Sequence, residues 1–468
     1  MGLIDDFAEV IGAENVATGA AADRWASDWT GKYGGRPGAV LRPATTEQVA
    51  ALLRRANTAG HSITPVSGNT GLVGGAQAAG GLMLSLDRMN AIRAINPAAR
   101  TAIVEAGVIL SSLHDAADAH DLSFPMSFGA RGSAMIGGIL STNAGGSNVL
   151  RHGNARALCL GIEAVLADGR VLNLMSELHK DNSGLDLRDL LIGAEGQLGV
   201  ITAAVLKLAP KPRAHATAMI AVPRLGDALA LLNRLQDATG GAVEAFELMP
   251  RNYIQTHLDR IDGARPPFDA MHDVNILVEI ATTAPRDATP AEDGTLPVVA
   301  LLQDELERML EADQLRDAVI ARSEAQRSEM WARREAAAEL TFWRRRLVDT
   351  DVALPLDRVA EFIDRANARM AELDPESDPF YVAHLGDGNV HYTVYVGSDD
   401  IQHRDRVTEA IEDIVADLGG SFSAEHGIGQ SKLATLRRRK DPVALDVMRQ
   451  IKAALDPKGI LNPGKTLP

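Results

Sequence analysis

The first strong structural signal in this chain is the eleven-residue stretch Pro65-Val66-Ser67-Gly68-Asn69-Thr70-Gly71-Leu72-Val73-Gly74-Gly75, which continues from a strand-like run. Glycines permit positive φ angles and let main-chain N–H groups approach an anion closely. Such a turn can wrap a pyrophosphate without a lysine. It lacks the Gly-Lys-Ser/Thr ending of a Walker loop and the Gly-x-Gly-x-x-Gly spacing of a Rossmann site. Taken alone, it is equally compatible with a glycine-rich surface turn.

Two further glycine-rich and hydroxyl-rich stretches lie downstream in the same half of the chain. One runs over residues 124–146 and includes Ile136-Gly137-Gly138-Ile139-Leu140-Ser141-Thr142-Asn143. The other is Leu191-Ile192-Gly193-Ala194-Glu195-Gly196-Gln197-Leu198-Gly199-Val200-Ile201-Thr202. Each could be structural by itself. Three such stretches in one region indicate an extended ligand of nucleotide size.

Strand-like runs alternate with helical patterns around these stretches, over residues 39–212. The clearest strands are predicted at residues 39–41, 62–66, 82–86 and 101–104. A helix is predicted from Thr45 to a stop at Gly60. Pro210 and Pro212 indicate a boundary. Beyond it, residues 214–420 mix strands with longer helices, with a loop predicted over residues 281–297 and one long helix over residues 298–346.

A second chemical signal lies near the C-terminal end, in His384-Leu385-Gly386-Asp387-Gly388-Asn389-Val390-His391 and in Ser423-Ala424-Glu425-His426-Gly427. The first stretch reads as two strands joined by a Gly-Asp-Gly-Asn turn. A hairpin would bring its two histidines to the same side, which a single straight strand would not. Imidazole and carboxylate together suit zinc, manganese or iron. The alternative is a pair of histidines satisfied by ordinary hydrogen bonds. His426 beside them could move protons near neutral pH.

Composition sets the outer bounds. The 468 residues predict two or three domains of about 100–200 residues. A formal net charge of −15 argues against nucleic acid or anionic lipid as partners. The single cysteine, Cys159, excludes an intrachain disulfide and an all-cysteine iron–sulfur site, and fits a reducing compartment such as the cytoplasm. The acidic start, without a basic residue before Arg24, does not resemble a signal peptide. No apolar run approaches the ~18 residues of a membrane span.

Three short motifs carry a family resemblance. They are Lys180-Asp181-Asn182-Ser183-Gly184-Leu185-Asp186-Leu187, Glu195-Gly196-x-Leu198-Gly199 and Asn462-Pro463-Gly464-Lys465. Together with the glycine-rich loops, they resemble the FAD-linked D-2-hydroxy-acid dehydrogenases among the vanillyl-alcohol-oxidase-type flavoproteins. The resemblance is strongest to D-2-hydroxyglutarate, D-lactate and glycolate dehydrogenases, and extends from about residue 28 to residue 465.

The resemblance implies an α+β fold with four parts. These are an N-terminal helical segment over residues 1–35, an FAD-binding domain of two α/β subdomains over residues 36–213, a cap with an antiparallel sheet over residues 214–420, and a C-terminal segment over residues 421–468 that returns to the FAD domain. By position, the FAD phosphates and ribityl chain are expected at Ser67, Gly68, Asn69, Thr70, Gly71, Leu72, Ser133, Gly137, Gly138, Thr142 and Asn143. The adenine or flavin rings are expected near Glu195, Gly199, Ile201 and Asn462.

The same resemblance implies the chemistry. Covalent members of the superfamily attach FAD through His or Cys, and the segment before Ile136 offers Ala134 and Met135 instead, so FAD is expected to be non-covalent. His384, His391 and Glu425 are the implied ligands of a divalent metal, zinc before manganese or iron, while Asp387 is expected to shape the turn. His426 is the implied base, which removes the hydroxyl proton while hydride passes from the α-carbon to flavin N5.

The substrate is expected to be a D-2-hydroxy acid that becomes a 2-oxo acid. Arg334 aligns with the family's carboxylate clamp. The hydroxyglutarate enzymes carry a threonine, a lysine and an asparagine where this chain has Ala338, Asp349 and Thr393. An acidic Asp349 would repel a second carboxylate, so a monocarboxylic acid such as D-lactate is predicted, with D-2-hydroxyglutarate as the alternative.

The resemblance also has implications for electron transfer and assembly. Reduced flavin requires an external electron acceptor, either an electron-transfer flavoprotein, a quinone or a partner subunit. A homodimer is left open. The rival functions are a same-fold flavoprotein without net redox chemistry, such as the alkyl-glycerone-phosphate synthases, and a metal-stabilised binding protein without flavin.

Overall fold

A computed structural model describes residues 2–468 of the chain. The strands are β1 (Val16–Ala17), β2 (Ala39–Leu41), β3 (Ile63–Val66), β4 (Leu82–Ser85), β5 (Ile92–Asn96), β6 (Thr101–Glu105), β7 (Leu122–Ser123), β8 (Cys159–Val165), β9 (Val171–Leu174), β10 (Val200–Lys207), β11 (Ala209–Pro210), β12 (Ala214–Ala221), β13 (Val243–Pro250), β14 (Val274–Thr282), β15 (Asp317–Ile320), β16 (Leu347–Ala353), β17 (Asp378–His384) and β18 (Asn389–Tyr395).

The α-helices alternate with these strands. They are α1 (Leu3–Ile11), α2 (Thr46–Ala59), α3 (Leu110–Asp118), α4 (Ile136–Thr142), α5 (Val149–His152), α6 (Leu187–Leu191), α7 (Ala228–Thr239), α8 (Arg251–Arg260), α9 (Pro285–Ala288), α10 (Pro297–Glu311), α11 (Glu324–Glu335), α12 (Ala337–Phe342), α13 (Val359–Leu373), α14 (Ile401–Asp417), α15 (Leu433–Arg439) and α16 (Pro442–Leu455).

Two sheets form the first half of the molecule. A four-stranded sheet has the order β1-β2-β4-β3, with β2 and β3 both parallel to β4. A five-stranded antiparallel sheet has the order β5-β6-β10-β8-β9. Helix α2 begins where the Thr45 side chain accepts the Gln48 N–H and ends at Gly60, whose φ is +70°. Both ends of this helix agree with the sequence prediction.

A seven-stranded antiparallel sheet forms most of the second half, in the order β15-β12-β14-β13-β17-β18-β16. Helices α7, α10, α13 and α14 cover one face, where Leu231, Leu302, Phe362 and Val407 join one hydrophobic core with the strands. Burial of such side chains contributes about 1.5–3 kcal/mol each to folding. On the opposite face, a second apolar cluster that includes Tyr253 and Phe380 covers part of the sheet, and the polar side chains described below occupy another part.

The turn between β17 and β18 aligns the two histidines of the sequence prediction. In the ladder, His384 pairs with Asn389, and Val382 pairs with His391. The two histidines are therefore diagonal neighbours on one face, with ring centroids 5.4 Å apart. Gly388 closes the turn with φ +82°, and a Cβ there would lie 2.2 Å from the Leu354 carbonyl oxygen.

The prediction of one long helix over residues 298–346 is wrong. Helix α10 ends at Glu311, strand β15 joins the edge of the seven-stranded sheet beside β12, and α11 and α12 follow. Asp313 has a φ of +55°, which breaks the helix, and the Ser323 side chain caps α11 by accepting the Gln326 N–H. The loop predicted over residues 281–297 contains the end of β14, the short helix α9 and the start of α10.

The C-terminal residues pack back against the first sheet. The Ile63 N–H donates to the Ile460 carbonyl at 2.7 Å, and the Asn462 N–H donates to the Ile63 carbonyl at 2.9 Å. Leu461 is fully buried in the core formed by α2 and the first sheet. The mixed helix-and-sheet class, with its antiparallel sheet and returning tail, agrees with the predicted fold. The predicted domain boundaries stay a prediction.

Candidate active site

A cavity of about 1690 Å³ lies between the loops of the first half and the polar face of the seven-stranded sheet. All three glycine-rich stretches contribute to its wall, and so does the histidine cluster. The predicted cofactor residues on the wall are Ser67, Gly68, Asn69, Thr70, Gly71, Leu72, Ser133, Gly137, Gly138, Thr142, Glu195, Gly199 and Ile201. The two predicted sets of residues therefore face a common space.

Asn143 and Asn462, also predicted to contact the cofactor, lie behind that wall. The Asn143 side-chain oxygen accepts the Arg156 N–H at 2.9 Å. The Asn462 side-chain amide donates to the main-chain carbonyls of Gly75 and Glu195, at 3.0 and 2.9 Å. Both side chains hold loops together from outside the cavity.

The loop after β3 suits an anionic ligand. The main-chain N–H groups of residues 68–72 donate no hydrogen bond to any other part of the described chain, residues 2–468. A Cβ on Gly68 would lie 2.2 Å from the Ser133 carbonyl oxygen, and one on Gly137 would lie 2.7 Å from the Ala106 Cβ. These glycines permit the close approach of two cavity loops. Free N–H donors in a narrow, glycine-lined cleft fit the pyrophosphate of a dinucleotide.

Glu195 connects the third loop to the segment that carries Glu425 and His426. Its carboxylate oxygens accept the N–H groups of Ile428 and Gly429, at 2.8 and 2.9 Å. Burial raises the pKa of the Glu195 carboxyl, although these hydrogen bonds oppose the rise. Its side chain therefore positions the segment that carries Glu425 and His426, in addition to the cofactor contact predicted from its sequence position.

Asp351, which the sequence reading did not single out, organises the histidine cluster. Its carboxylate accepts the Asn389 side-chain amide at 2.9 Å and the N–H groups of both Glu425 and His426 at 3.0 Å. Burial opposes its ionisation, but the neighbouring His426 and Lys432 hold the pKa of Asp351 well below its usual range. The available signal was the pair of aspartates, Asp349 and Asp351, two residues apart in the short strand β16.

Three predicted residues meet next to that carboxylate. His391 Nε2 lies 3.7 Å from Glu425 Oε1, and His426 Nε2 lies 3.9 Å from the same oxygen. The rings of His391 and His426 are stacked with centroids 5.6 Å apart, and the Nδ1 atom of each lies 3.6 Å from Asp351. With Asp351, they present ligand atoms that all lie within 4.8 Å of one another.

His384 lies at the margin of this group and has a different partner. Its Nδ1 lies 2.9 Å from a carboxylate oxygen of Glu247, a buried residue of β13 that the sequence reading missed. Burial lowers the pKa of His384, but Glu247 outweighs that effect and the net shift is upward. Glu247 also accepts the Nε–H of Arg334 at 2.8 Å. The Nη2 atom of Arg334 is buried and has no hydrogen-bond partner among residues 2–468.

The donor set is chemically suited to a divalent metal of the zinc, manganese or iron type. Imidazole nitrogen and carboxylate oxygen are the ligands that these ions share. Burial holds the pKa of His391 well below its ordinary value, so its ring is neutral and can ligate.

Two of the three departures from the hydroxyglutarate pattern lie on the cavity wall, and the third contacts one of them. Ala338 and Asp349 contribute to the cavity wall. The buried Thr393 donates its hydroxyl hydrogen to Asp349 Oδ1 at 2.7 Å. Burial raises the pKa of the Asp349 carboxyl, and the Thr393 hydrogen bond opposes the rise.

Comparisons with known proteins identify the family. The family described as FAD linked oxidases, C-terminal domain, matches residues 211–466, and the FAD binding domain family matches residues 37–175. D-2-hydroxyglutarate dehydrogenase of Xanthomonas citri pv. viticola is 34% identical over 95% of this chain and 92% of the relative. The mitochondrial D-2-hydroxyglutarate dehydrogenase of Bos taurus is 35% identical over 94% of this chain and 79% of the relative. The chain belongs to the FAD-linked D-2-hydroxy-acid dehydrogenase family.

Solved structures extend the likeness in fold beyond this family. An alkyldihydroxyacetonephosphate synthase has a TM-score of 0.73 at 15% identity, covering 98% of this chain and 84% of the synthase. A p-cresol methylhydroxylase has a TM-score of 0.72 at 16% identity, covering 99% and 96% of the two chains. At these identities the likeness concerns the fold alone. Among the residues described, this FAD-linked oxidoreductase contains no helix with the length and apolarity that crossing a membrane requires.

Proposed function

We propose that this dehydrogenase oxidises a D-2-hydroxy acid to the 2-oxo acid, with non-covalent FAD and a divalent metal. Zinc is the preferred metal in this proposal, and manganese or iron is the alternative. The observation that carries the proposal is the shared cavity. His426 and its neighbours occupy one side, and the three loops suited to FAD occupy the other. The names of the relatives, which are D-2-hydroxyglutarate dehydrogenases, support the same substrate class.

The metal ligands in this proposal are His384, His391 and Glu425. Metal-bound histidines commonly donate their second ring N–H to a carboxylate, which fixes the ring. Glu247 is in contact with His384 Nδ1 in this way, and Asp351 is close to His391 Nδ1. Because the Asp351 oxygens already accept three hydrogen bonds, we assign Asp351 to positioning rather than to ligation.

Each group then has one task in the reaction. When bound, FAD would accept the α-hydrogen with its electron pair, and the metal would act as a Lewis acid toward the substrate oxygens. Arg334 binds the substrate carboxylate through Nη1, since Glu247 occupies its Nε and its Nη2 is buried. His426 accepts the hydroxyl proton at Nε2, while Asp351 orients the ring from its Nδ1 side.

The substrate proposed here is monocarboxylic, as with D-lactate. A second substrate carboxylate would need a cation on the cavity wall. Asp349 lies on that wall and supplies none, whether it is ionised or neutral. Arg131, Arg151, Arg327 and Arg334 on that wall each pair with a glutamate. D-2-hydroxyglutarate remains the alternative, because the relatives bear that name and Arg260 contributes a further cation to the wall.

Electrons must then leave the flavin for an external acceptor. The one cysteine, Cys159, is fully buried in β8, and burial raises the pKa of its thiol to about 12, so it does not serve as a redox relay. We propose an electron-transfer flavoprotein, a quinone or a partner subunit as the acceptor. A redox-neutral function like that of the synthases is the rival, and it has only the shared fold in its favour.

A pair of histidine variants tests the function. His426→Asn should lower kcat with a dye acceptor by at least about 100-fold, the usual contribution of a positioned base, while flavin and metal content stay unchanged. His120→Asn, at an exposed histidine outside the cavity wall, is the matched control and should keep full activity. Equal activity in the two variants would remove His426 from the mechanism.

A further inference from the structure

We propose that Asp349 recognises a hydroxyl group on the tail of the substrate. The preferred substrate would then be a D-2-hydroxy acid of about five carbons with a second hydroxyl at its far end. This inference rests on the proposed function and narrows its substrate class, because D-lactate has no such hydroxyl.

The ladder between β16 and β18 gives the position of Asp349 relative to the reacting end. Asp351 pairs with His391, and Asp349 pairs with Thr393, one step of two residues farther along both strands. Side chains two residues apart point to the same face, roughly 7 Å apart. An extended chain of about five carbons spans that distance. A substrate held by His426 and the predicted metal ligands at its C2 hydroxyl can therefore reach Asp349 with its far end.

The hydrogen bonding of Asp349 leaves one oxygen for a ligand. Thr393 donates to Oδ1, whereas Oδ2 has no hydrogen-bond partner among residues 2–468. An ionised Asp349 would offer Oδ2 as an acceptor, and a protonated one would offer a donor there. A hydroxyl group both donates and accepts, so it is matched in either state. A carboxylate on the substrate tail could bind only to protonated Asp349, and an ammonium group only to ionised Asp349.

The other two departures from the hydroxyglutarate pattern bring no further charge to the cavity wall. Ala338, on the same wall, adds no polar group of its own. Thr393 touches the site only through Asp349, and it is a positioning residue in this account.

The test compares four five-carbon D-2-hydroxy acids that differ only at the far end. They are D-2-hydroxypentanoate, D-2,5-dihydroxypentanoate, 5-amino-D-2-hydroxypentanoate and D-2-hydroxyglutarate. With the holoenzyme and a dye acceptor, kcat/KM for the dihydroxy acid should exceed that for the methyl-ended acid by about 10- to 100-fold, as expected for hydrogen bonds to a charged group. The difference should appear mainly in KM, since the tail is remote from the reacting carbon.

Variants attribute this preference to the two side chains. Asp349→Leu should reduce the ratio of the two kcat/KM values to within about 3-fold. Thr393→Val should also reduce this ratio. Thr393→Ser should keep it, because serine, unlike valine, retains the hydroxyl that donates to Asp349 Oδ1. Flavin content and melting temperature, measured for each variant, identify a folding defect.

The outcomes separate this inference from the function on which it rests. Two results would overturn the role of Asp349 while leaving the oxidation in place. One is an equal kcat/KM for the hydroxyl-ended and methyl-ended acids, and the other is a preference for 5-amino-D-2-hydroxypentanoate or for D-2-hydroxyglutarate. D-lactate is assayed beside the four acids: if it alone reduces the flavin of the holoenzyme, the inference about Asp349 fails, and if neither D-lactate nor any of the four acids does, the proposed function itself fails. A hydroxyl preference that survives in Asp349→Leu would also overturn the inference.

Discussion

Asp351 shows how one carboxylate can determine the geometry of a whole cluster. It is buried in β16, and its oxygens accept hydrogen bonds from two consecutive main-chain N–H groups of the segment that carries Glu425 and His426. The same carboxylate lies beside the Nδ1 atoms of both stacked histidines. The position of Glu425 and His426 relative to His391 therefore depends on a residue that does not contribute to the cavity wall.

We expect Asp351→Ala to lower the free energy of unfolding by about 3–5 kcal/mol, because Lys432 and several N–H donors lose their buried partner. Denaturant titration of the flavin-loaded protein measures this loss. Asp357→Ala, an exposed residue six positions later on the chain, is the control and should change stability by less than about 0.5 kcal/mol. A similar small change in both variants would contradict the organising role of Asp351.

The sequence predicted the residues of the site better than their partners. Short motifs indicated His384, His391, Glu425 and His426, because the first two lie in the strands on either side of a recognisable turn and the last two are adjacent in sequence. Glu247 was missed because it lies 137 positions from His384, in a mostly apolar strand where no local motif marks either of the two glutamates. Long-range pairing of this kind depends on strand register, which one sequence does not specify.

At the level of elements, the β17–β18 hairpin sets the spacing of the two histidines. Turn residues with strong conformational preferences made this hairpin predictable. The segment over residues 298–346 was not, because its helical pattern hides a four-residue edge strand that is stabilised only by pairing with β12. Tertiary contacts outweighed the local pattern there.

Gly388→Ala and Gly419→Ala together test the hairpin turn. Both glycines have positive φ, +82° and +72°, so each alanine should cost about 1–2 kcal/mol of backbone strain. Only at Gly388 would the added Cβ also meet a backbone oxygen, 2.2 Å away, whereas nothing lies within 4 Å at Gly419. Gly388→Ala should therefore be the more destabilising in denaturant titration, and should also lower kcat. Equal losses in the two variants would show that the turn tolerates displacement.

At the scale of the whole molecule, the site exists only because three distant parts of the chain converge. Loops of the first half form one wall, the seven-stranded sheet forms the other, and the C-terminal tail closes on the first sheet. Glu195 and Asn462 connect these parts by hydrogen bonds across more than 200 positions of sequence. The family resemblance predicted this convergence, while composition and periodicity alone predicted only a mixed fold. A cytoplasmic location and a homodimer stay predictions.

The central claim is that flavin and histidine cluster act on one substrate held between them. An anaerobic titration of the flavin- and metal-loaded protein tests it most directly, with D-2-hydroxy acids and their L-enantiomers as titrants and flavin absorbance as the readout. We predict that one equivalent of a D-acid bleaches the flavin and yields one equivalent of 2-oxo acid, while the L-enantiomer has no effect. Flavin that stays oxidised with every D-acid, or that bleaches equally with both enantiomers, would contradict the account.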